Sequence, residues 1–174
     1  MSHAVLMTGA PATGKTTVGR LVAGALRAAI LDQDVVTGPF VAGADLDGPA
    51  GRALRAARYE SIVATACDCL SVGTAAVLVA PFTTERARAD AFGALVDRFA
   101  AAGASTTLVW LTAPADVLVA RMGARAAERD AGKLADAAAY FRAGLLAAPA
   151  VPHVRVDATL DPRVQLDTVL SSLP

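Results

Sequence analysis

The sequence predicts an α/β fold, a mainly parallel β-sheet covered by helices on both faces. Three observations predict it. Short apolar runs alternate with longer helix-like runs along the 174 residues. The apolar runs are continuous, as in Ala75-Ala76-Val77-Leu78-Val79-Ala80 and Thr106-Thr107-Leu108-Val109-Trp110-Leu111, which is how strands buried on both faces read. A glycine-rich stretch joins the first apolar run to the first helical one, as at the ligand edge of such sheets.

Taken in order, residues 4–8 are apolar and short, hence a strand. Residues 15–28 have helical spacing. Residues 29–31 form a second strand that runs into Asp32-Gln33-Asp34. The stretch 35–47 reads as loop and helix fragments, because Gly38-Pro39 breaks it and Gly48-Pro49 follows. Residues 51–71 make a long helix carrying Leu54, Ile62 and Leu70. Strand 75–80 is stopped by Pro81. A helix over 84–102, a strand over 106–111 and a helix over 114–129 follow. Gly132 marks a break, after which 134–147 is helical. The last strand is 154–156 and the last helix 162–173. No repeat, linker or low-complexity tail interrupts this pattern, so a single domain over 1–174 is expected.

Composition narrows the function. The formal net charge is zero and only 5% of residues are aromatic. No basic run or tail appears, so nucleic-acid binding as the main activity is disfavoured. The hydrophobic fraction of 55% is inflated by alanine, and no apolar run has the length of a membrane span. No secretory signal pattern stands at the start. Cys67 and Cys69 lie two apart on a helix and face different ways, so neither a metal pair nor a disulfide is expected. A cytoplasmic protein, monomer or homodimer, acting on a small anionic ligand fits these features.

Residues Gly9, Ala10, Pro11, Ala12, Thr13, Gly14, Lys15 and Thr16 carry the pattern G-x-x-x-x-G-K-[ST]. It lies where it must, between a strand and a helix. Gly9 and Gly14 let the backbone turn several N–H donors toward phosphate oxygens. The following helix adds uncapped N–H groups and the positive end of its dipole. Lys15, one of only two lysines against fourteen arginines, reaches the β- and γ-phosphates. The Thr16 hydroxyl suits Mg²⁺, which takes few protein ligands, and Thr17 suits the α-phosphate. ATP with Mg²⁺ is the expected cofactor pair.

Two further features favour a kinase over a switch or a motor. Asp32 and Asp34 stand two apart at the end of the second strand. A strand continuing that far aims both into the crevice, Asp32 toward Mg²⁺ and Asp34 toward the proton of a substrate hydroxyl; helix capping is the structural alternative. Arg121, Arg125 and Arg129 are four apart on one helix face ahead of Gly132, where a closing lid brings positive charge to a transferring phosphoryl group. A solvated, ion-paired face is the alternative for them. No N-K-x-D guanine-reading motif appears, which argues against a GTPase. For the acceptor, Asp34, Phe40, Arg58, Tyr59, Phe82, Thr83 and Arg86 are the candidates. Arg58 with Arg55 suits a carboxylate or phosphate, and Phe40 and Phe82 suit either the pocket wall or the core.

On the loop 9–17, the Leu31-Asp32-Gln33-Asp34 segment, Arg58-Tyr59-Glu60, Pro81-Phe82 and the stretch from Arg125 and Arg129 to Lys133, the chain resembles a known family. It is similar to the small P-loop kinases of the shikimate kinase, gluconate kinase and chloramphenicol phosphotransferase type, which include AAA-33-like ATP-binding proteins. The resemblance implies a P-loop NTPase three-layer sandwich with five parallel strands in the order 2-3-1-4-5 and a helical lid around 122–135. It implies adenine between Arg121 and the loop 157–162, which ends at Pro162. It also implies transfer of the γ-phosphate of ATP to a hydroxyl of a metabolite, sugar or antibiotic, with catalytic roles for Lys15, Asp34, Arg125 and Arg129. The sequence departs from its relatives at Ala80-Pro81, where a glycine or acid is common, and at Ala12-Thr13 within the loop. A nucleoside or nucleoside-monophosphate kinase, and a non-catalytic ATP-binding regulatory module, are the alternatives.

Overall fold

The computed structural model describes residues 2–46, 48–125 and 146–174. Its sheet has five parallel strands in the order β2-β3-β1-β4-β5. These are β1 (Ser2–Gly9), β2 (Ala29–Asp32), β3 (Ala76–Val79), β4 (Ala104–Thr112) and β5 (Val154–Asp157). The expected strand order is the one observed.

β1 is central and explains the layering. Side chains along a strand alternate between faces, and from Ala4 to Met7 none is exposed. Val5 and Met7 enter one apolar core with Val18, Val22, Leu118, Met122 and Val169. Ala4 and Leu6 enter a second core with Ile62, Val63, Phe82, Leu95 and Phe99. The first core is roofed by α1 (Lys15–Leu26), α6 (Ala115–Arg125) and α7 (Pro162–Leu170). The second is roofed by α3 (Pro49–Ser71) and α5 (Ala89–Ala101). Each fully buried Val, Leu, Ile or Phe side chain contributes about 1.5–3 kcal/mol, so two cores sharing one sheet account for a three-layer sandwich.

Small residues set the closeness of the layers. A Cβ on Gly19 of α1 stands 2.9 Å from Val79 Cγ2, so that helix rests directly on β3. The long helix α3 begins two residues earlier than expected. Pro49 is its first residue, a position where the missing N–H costs nothing.

Two elements differ from expectation. The helix over 84–102 is two helices, α4 (Thr83–Ala87) and α5. Arg88 is extended between them, at φ −133° and ψ 123°, and neither glycine nor proline marks that break. The stretch 35–47 begins with helix: α2 (Gln33–Thr37) follows β2 at once and passes into a 3-10 turn, Gly38–Val41. The helix expected over 134–147 falls mostly outside the described residues, and Leu146 and Ala147, which are described, are not helical. The Gly132 break and most of the lid, 126–135, also lie outside. Among the described residues, no helix is long and apolar enough to cross a membrane.

Candidate nucleotide and acceptor site

Parallel strands bring their carboxyl ends to one edge. Here that edge carries Gly9 at the end of β1, Asp32 at the end of β2, Pro81 beyond β3, Thr112 at the end of β4 and Asp157 at the end of β5. The glycine-rich loop leaves β1 and turns into α1. Gly9 has φ 145° and pairs with Leu111 of β4; a Cβ there meets the Leu111 carbonyl oxygen at 2.3 Å. Only glycine fits this crossing. Gly14 caps α1 in the left-handed region, at φ 85°. Ala12 is also left-handed, at φ 64°, so an alanine stands here in a conformation that glycine takes more readily.

The loop is held from within. The buried Thr13 donates its hydroxyl to the Ala10 carbonyl at 2.8 Å. Lys15 Nζ donates to the Gly9 and Ala10 carbonyls at 2.8 and 2.9 Å, placing its charge over the loop. The first turn of α1 has no side-chain cap and no acidic residue. Its first N–H groups therefore have no capping side chain, which leaves them available to an anion. Pro11, Ala12 and Thr17 lie in or beside this cradle, and Thr17 is exposed.

The acid pair differs from the sequence reading. β2 stops at Asp32 and α2 begins at Gln33, so the two carboxylates do not share a strand face. The buried Asp32 accepts from the Thr16 hydroxyl through Oδ2 at 2.6 Å and from the Asp34 N–H through Oδ1 at 3.0 Å. It is both a partner of the nucleotide loop and the N-cap of α2, so capping and site geometry coincide in one carboxylate. Asp34 lies two residues on, in the first turn of α2. Its side chain is 64% exposed, and its Oδ1 accepts from Arg58 Nη2 at 2.9 Å.

Arg58, on α3, also donates through Nε to Thr37 Oγ1 at 2.8 Å, and Thr37 donates to the Gln33 carbonyl at 2.6 Å. α2 is thereby tied to α3. Tyr59 packs edge-on against Phe82 with ring centroids 5.9 Å apart. Its hydroxyl is enclosed with no hydrogen-bond partner. Burial first, and then the nearby Glu85 carboxylate, push the phenol pKa upward.

Three further acceptor candidates differ in their surroundings. Phe82 is core, 1% exposed, at the left-handed N-cap of α4. Phe40 is 86% exposed on the 3-10 turn, so it belongs to no core and forms no closed pocket wall. Arg86 donates to the Ala147 carbonyl, and its own carbonyl accepts from the Ala150 N–H. Arg86 is thus a tie to the segment before β5, because its guanidinium reaches that backbone.

At the other end of the edge, Asp157 accepts from the Thr159 hydroxyl and N–H at 2.6 and 2.8 Å. The Thr159 contacts, with smaller effects from the Arg155 and Arg121 charges, hold its carboxyl below the usual range. Arg121 lies on α6, and Pro162 opens α7 behind the Asp161 cap. Arg125 is the last described residue of α6; Arg129 lies outside the described residues.

The Asp32 and Thr16 oxygens are hard donors placed beside an anion-binding helix terminus. That set fits Mg²⁺, which prefers few protein ligands and keeps its waters.

A family model described as an AAA domain, AAA_33, matches residues 5–143. The chain belongs to this family. Solved structures share the fold. A candidate kinase from Chloroflexus aurantiacus is 22% identical, with TM-score 0.70 over 99% of this chain and 98% of that one. A gluconokinase from Sinorhizobium meliloti is 18% identical, with TM-score 0.61 over 98% and 90%. An APS kinase from Mycobacterium tuberculosis, in complex with AMPPNP and APS, is 21% identical, with TM-score 0.63 over 98% and 96%. Comparison with curated proteins gives no match.

Sequence reasoning missed three residues that hold this region together. Thr8 is fully buried and donates to the Pro81 carbonyl at 2.7 Å, fastening the end of β3 to the strand that bears the loop. Its signal was a polar residue closing an apolar strand. Thr37 fixes Arg58, and Glu85 faces Tyr59; neither has a signature in the sequence.

Proposed function

We propose that the chain is an ATP-dependent kinase that transfers the γ-phosphoryl group to a hydroxyl of a small molecule. The observation that carries this reading is the Thr16–Asp32 contact beside the uncapped start of α1. It sets a hard oxygen pair where a polyphosphate meets a helix terminus. The kinase folds that this chain resembles support the same reading.

Thr16 and Asp32 would hold Mg²⁺, Asp32 through water. When bound, the ion supplies charge neutralisation at the β- and γ-phosphates. Lys15 exchanges its two carbonyl partners for phosphate oxygens, and the backbone of the cradle orients the triphosphate. Arg121 and the loop ending at Pro162 flank adenine. Asp34 orients the acceptor hydroxyl and takes its proton. The hydroxyl oxygen then bonds to the γ-phosphorus while the bond to the bridging oxygen of ADP breaks. Arg125 and Arg129 bring positive charge to the transferring group.

The test is transfer from γ-labelled ATP to a panel of hydroxylated metabolites. The kinase reading expects one labelled acceptor class, with Asp34→Asn retaining ATP binding and losing transfer. Tight ATP binding with no labelled acceptor supports instead a nucleotide-sensing module, which the acid-free end of β3 at Ala80-Pro81 favours.

A further inference from the structure

The sheet has a second edge, at the amino ends of its strands, and an open hollow of about 690 Å³ lies there. α1, α3 and α5 end beside it, and β1, β3 and β4 begin beside it. Each of the three helices is followed by a left-handed residue that lines the hollow. Two are glycines, Gly73 at φ 85° and Gly103 at φ 83°, the residue type that takes this conformation without strain. The third is Arg27, at φ 51° and ψ 40°. An arginine there is strained where glycine is not, and a tolerated outlier of this kind calls for a role of its side chain.

The charge around the hollow has one sign. Arg27 is exposed and has no ion pair among the described residues, and no acidic residue lines the hollow. His3 lines it as well, with Nδ1 2.9 Å from Ser105 Oγ. With that nitrogen accepting from the hydroxyl, Nε2 carries the proton and is a donor. Ser2 and Thr74 add hydroxyls. The helix ends oppose an anion only weakly, because their terminal carbonyls are engaged. Ala23 and Gly24 accept from the Arg27 N–H, Leu70 from Gly73, Cys69 from Thr74 and Ala100 from Gly103.

A guanidinium with an imidazole and hydroxyls offers more donors than the two oxygens of a carboxylate need, and suits the three free oxygens of a phosphate monoester. The volume is that of a small-molecule site, with Leu26 and Leu70 on its wall. β1 runs from this edge to Gly9. At about 3.3 Å per residue it separates the hollow from the cradle by roughly 23 Å.

We infer that the hollow at the amino-terminal edge is a second site, which binds a small phosphate monoester through Arg27 and His3. It stands apart from the kinase reading, since no residue of the cradle lines it.

The experiment follows backbone amide shifts while the protein is titrated with glycerol 3-phosphate, ribose 5-phosphate and glucose 6-phosphate, and with glycerol, ribose and glucose. At least one ester shifts the Arg27, Gly73, Thr74 and Gly103 amides saturably, and binds at least about tenfold more tightly than its unphosphorylated partner. Arg27→Gly weakens that binding at least about tenfold while its thermal stability holds or rises, because glycine relieves the left-handed strain. Arg27→Lys keeps part of the affinity. Lys15→Ala, which disables the cradle, leaves the same shifts and affinity in place. Absence of saturable shifts at these amides with all three esters overturns the inference. So does equal binding of the unphosphorylated partners, or an unchanged affinity in Arg27→Gly.

Discussion

The Thr16 hydroxyl lies 2.6 Å from Asp32 Oδ2, joining the residue after the cradle lysine to the last residue of β2. Through its other oxygen, the same carboxylate begins α2, so the glycine-rich loop and α2 meet in one side chain.

Replacing Asp32 separates its two roles. Asp32→Asn keeps a capping oxygen and lowers stability by less than about 0.5 kcal/mol. Asp32→Ala removes the cap and costs about 1 kcal/mol, a fall in Tm of roughly 2–4 °C. Both variants require more Mg²⁺ for half-maximal turnover. Thermal melts beside a Mg²⁺ titration of activity check the split. Equal Mg²⁺ requirements in variant and wild type remove Asp32 from the metal site.

Gly9→Ala drives a methyl group into the Leu111 carbonyl at 2.3 Å. Overpacking against backbone costs about 3 kcal/mol or more, because backbone cannot step aside as a side chain does. Denaturant melts and nucleotide binding both report the change. Wild-type stability in this variant contradicts the packing of the loop against β4.

The Arg58 contacts differ in worth. The pair with Asp34 is exposed on the Asp34 side, so a double-mutant cycle gives a coupling of about 0.2–1 kcal/mol. The bond to Thr37 is more enclosed, and Arg58→Ala as a whole costs about 1–3 kcal/mol. A coupling with Asp34 as large as the total loss contradicts this division.

Tyr59 makes a pH prediction with a definite sign. Its folded pKa is raised above the unfolded value, so the folded state holds the proton more tightly. Stability is complete below about pH 10, the ordinary phenol value, and falls as pH rises beyond it. Tyr59→Phe shows a shallower alkaline decline. Chemical melts from pH 7 to 11 on both proteins read the difference. Identical alkaline slopes contradict it.

The fold was legible because β1, β3 and β4 each contain an unbroken apolar run and most breaks carry a proline or glycine. The break at Arg88 carries neither; Arg88 takes an extended conformation open to any residue and left no mark. The cradle was legible residue by residue, since Gly9 and Gly14 stand where backbone geometry requires them. The acceptor side was less so. Asp34 left the strand face because α2 started at once, and composition does not fix the residue at which a strand becomes a helix. Phe40 and Phe82 have the same chemistry and opposite exposure, which only tertiary packing decides.

The measurement that bears most directly on the central claim is a calorimetric titration of the protein with ATP, with and without Mg²⁺, beside Lys15→Ala. The account predicts saturable binding that Mg²⁺ strengthens and that the lysine variant loses by at least about a hundredfold. Absence of ATP binding by the wild-type protein, or equal affinity in Lys15→Ala, contradicts it.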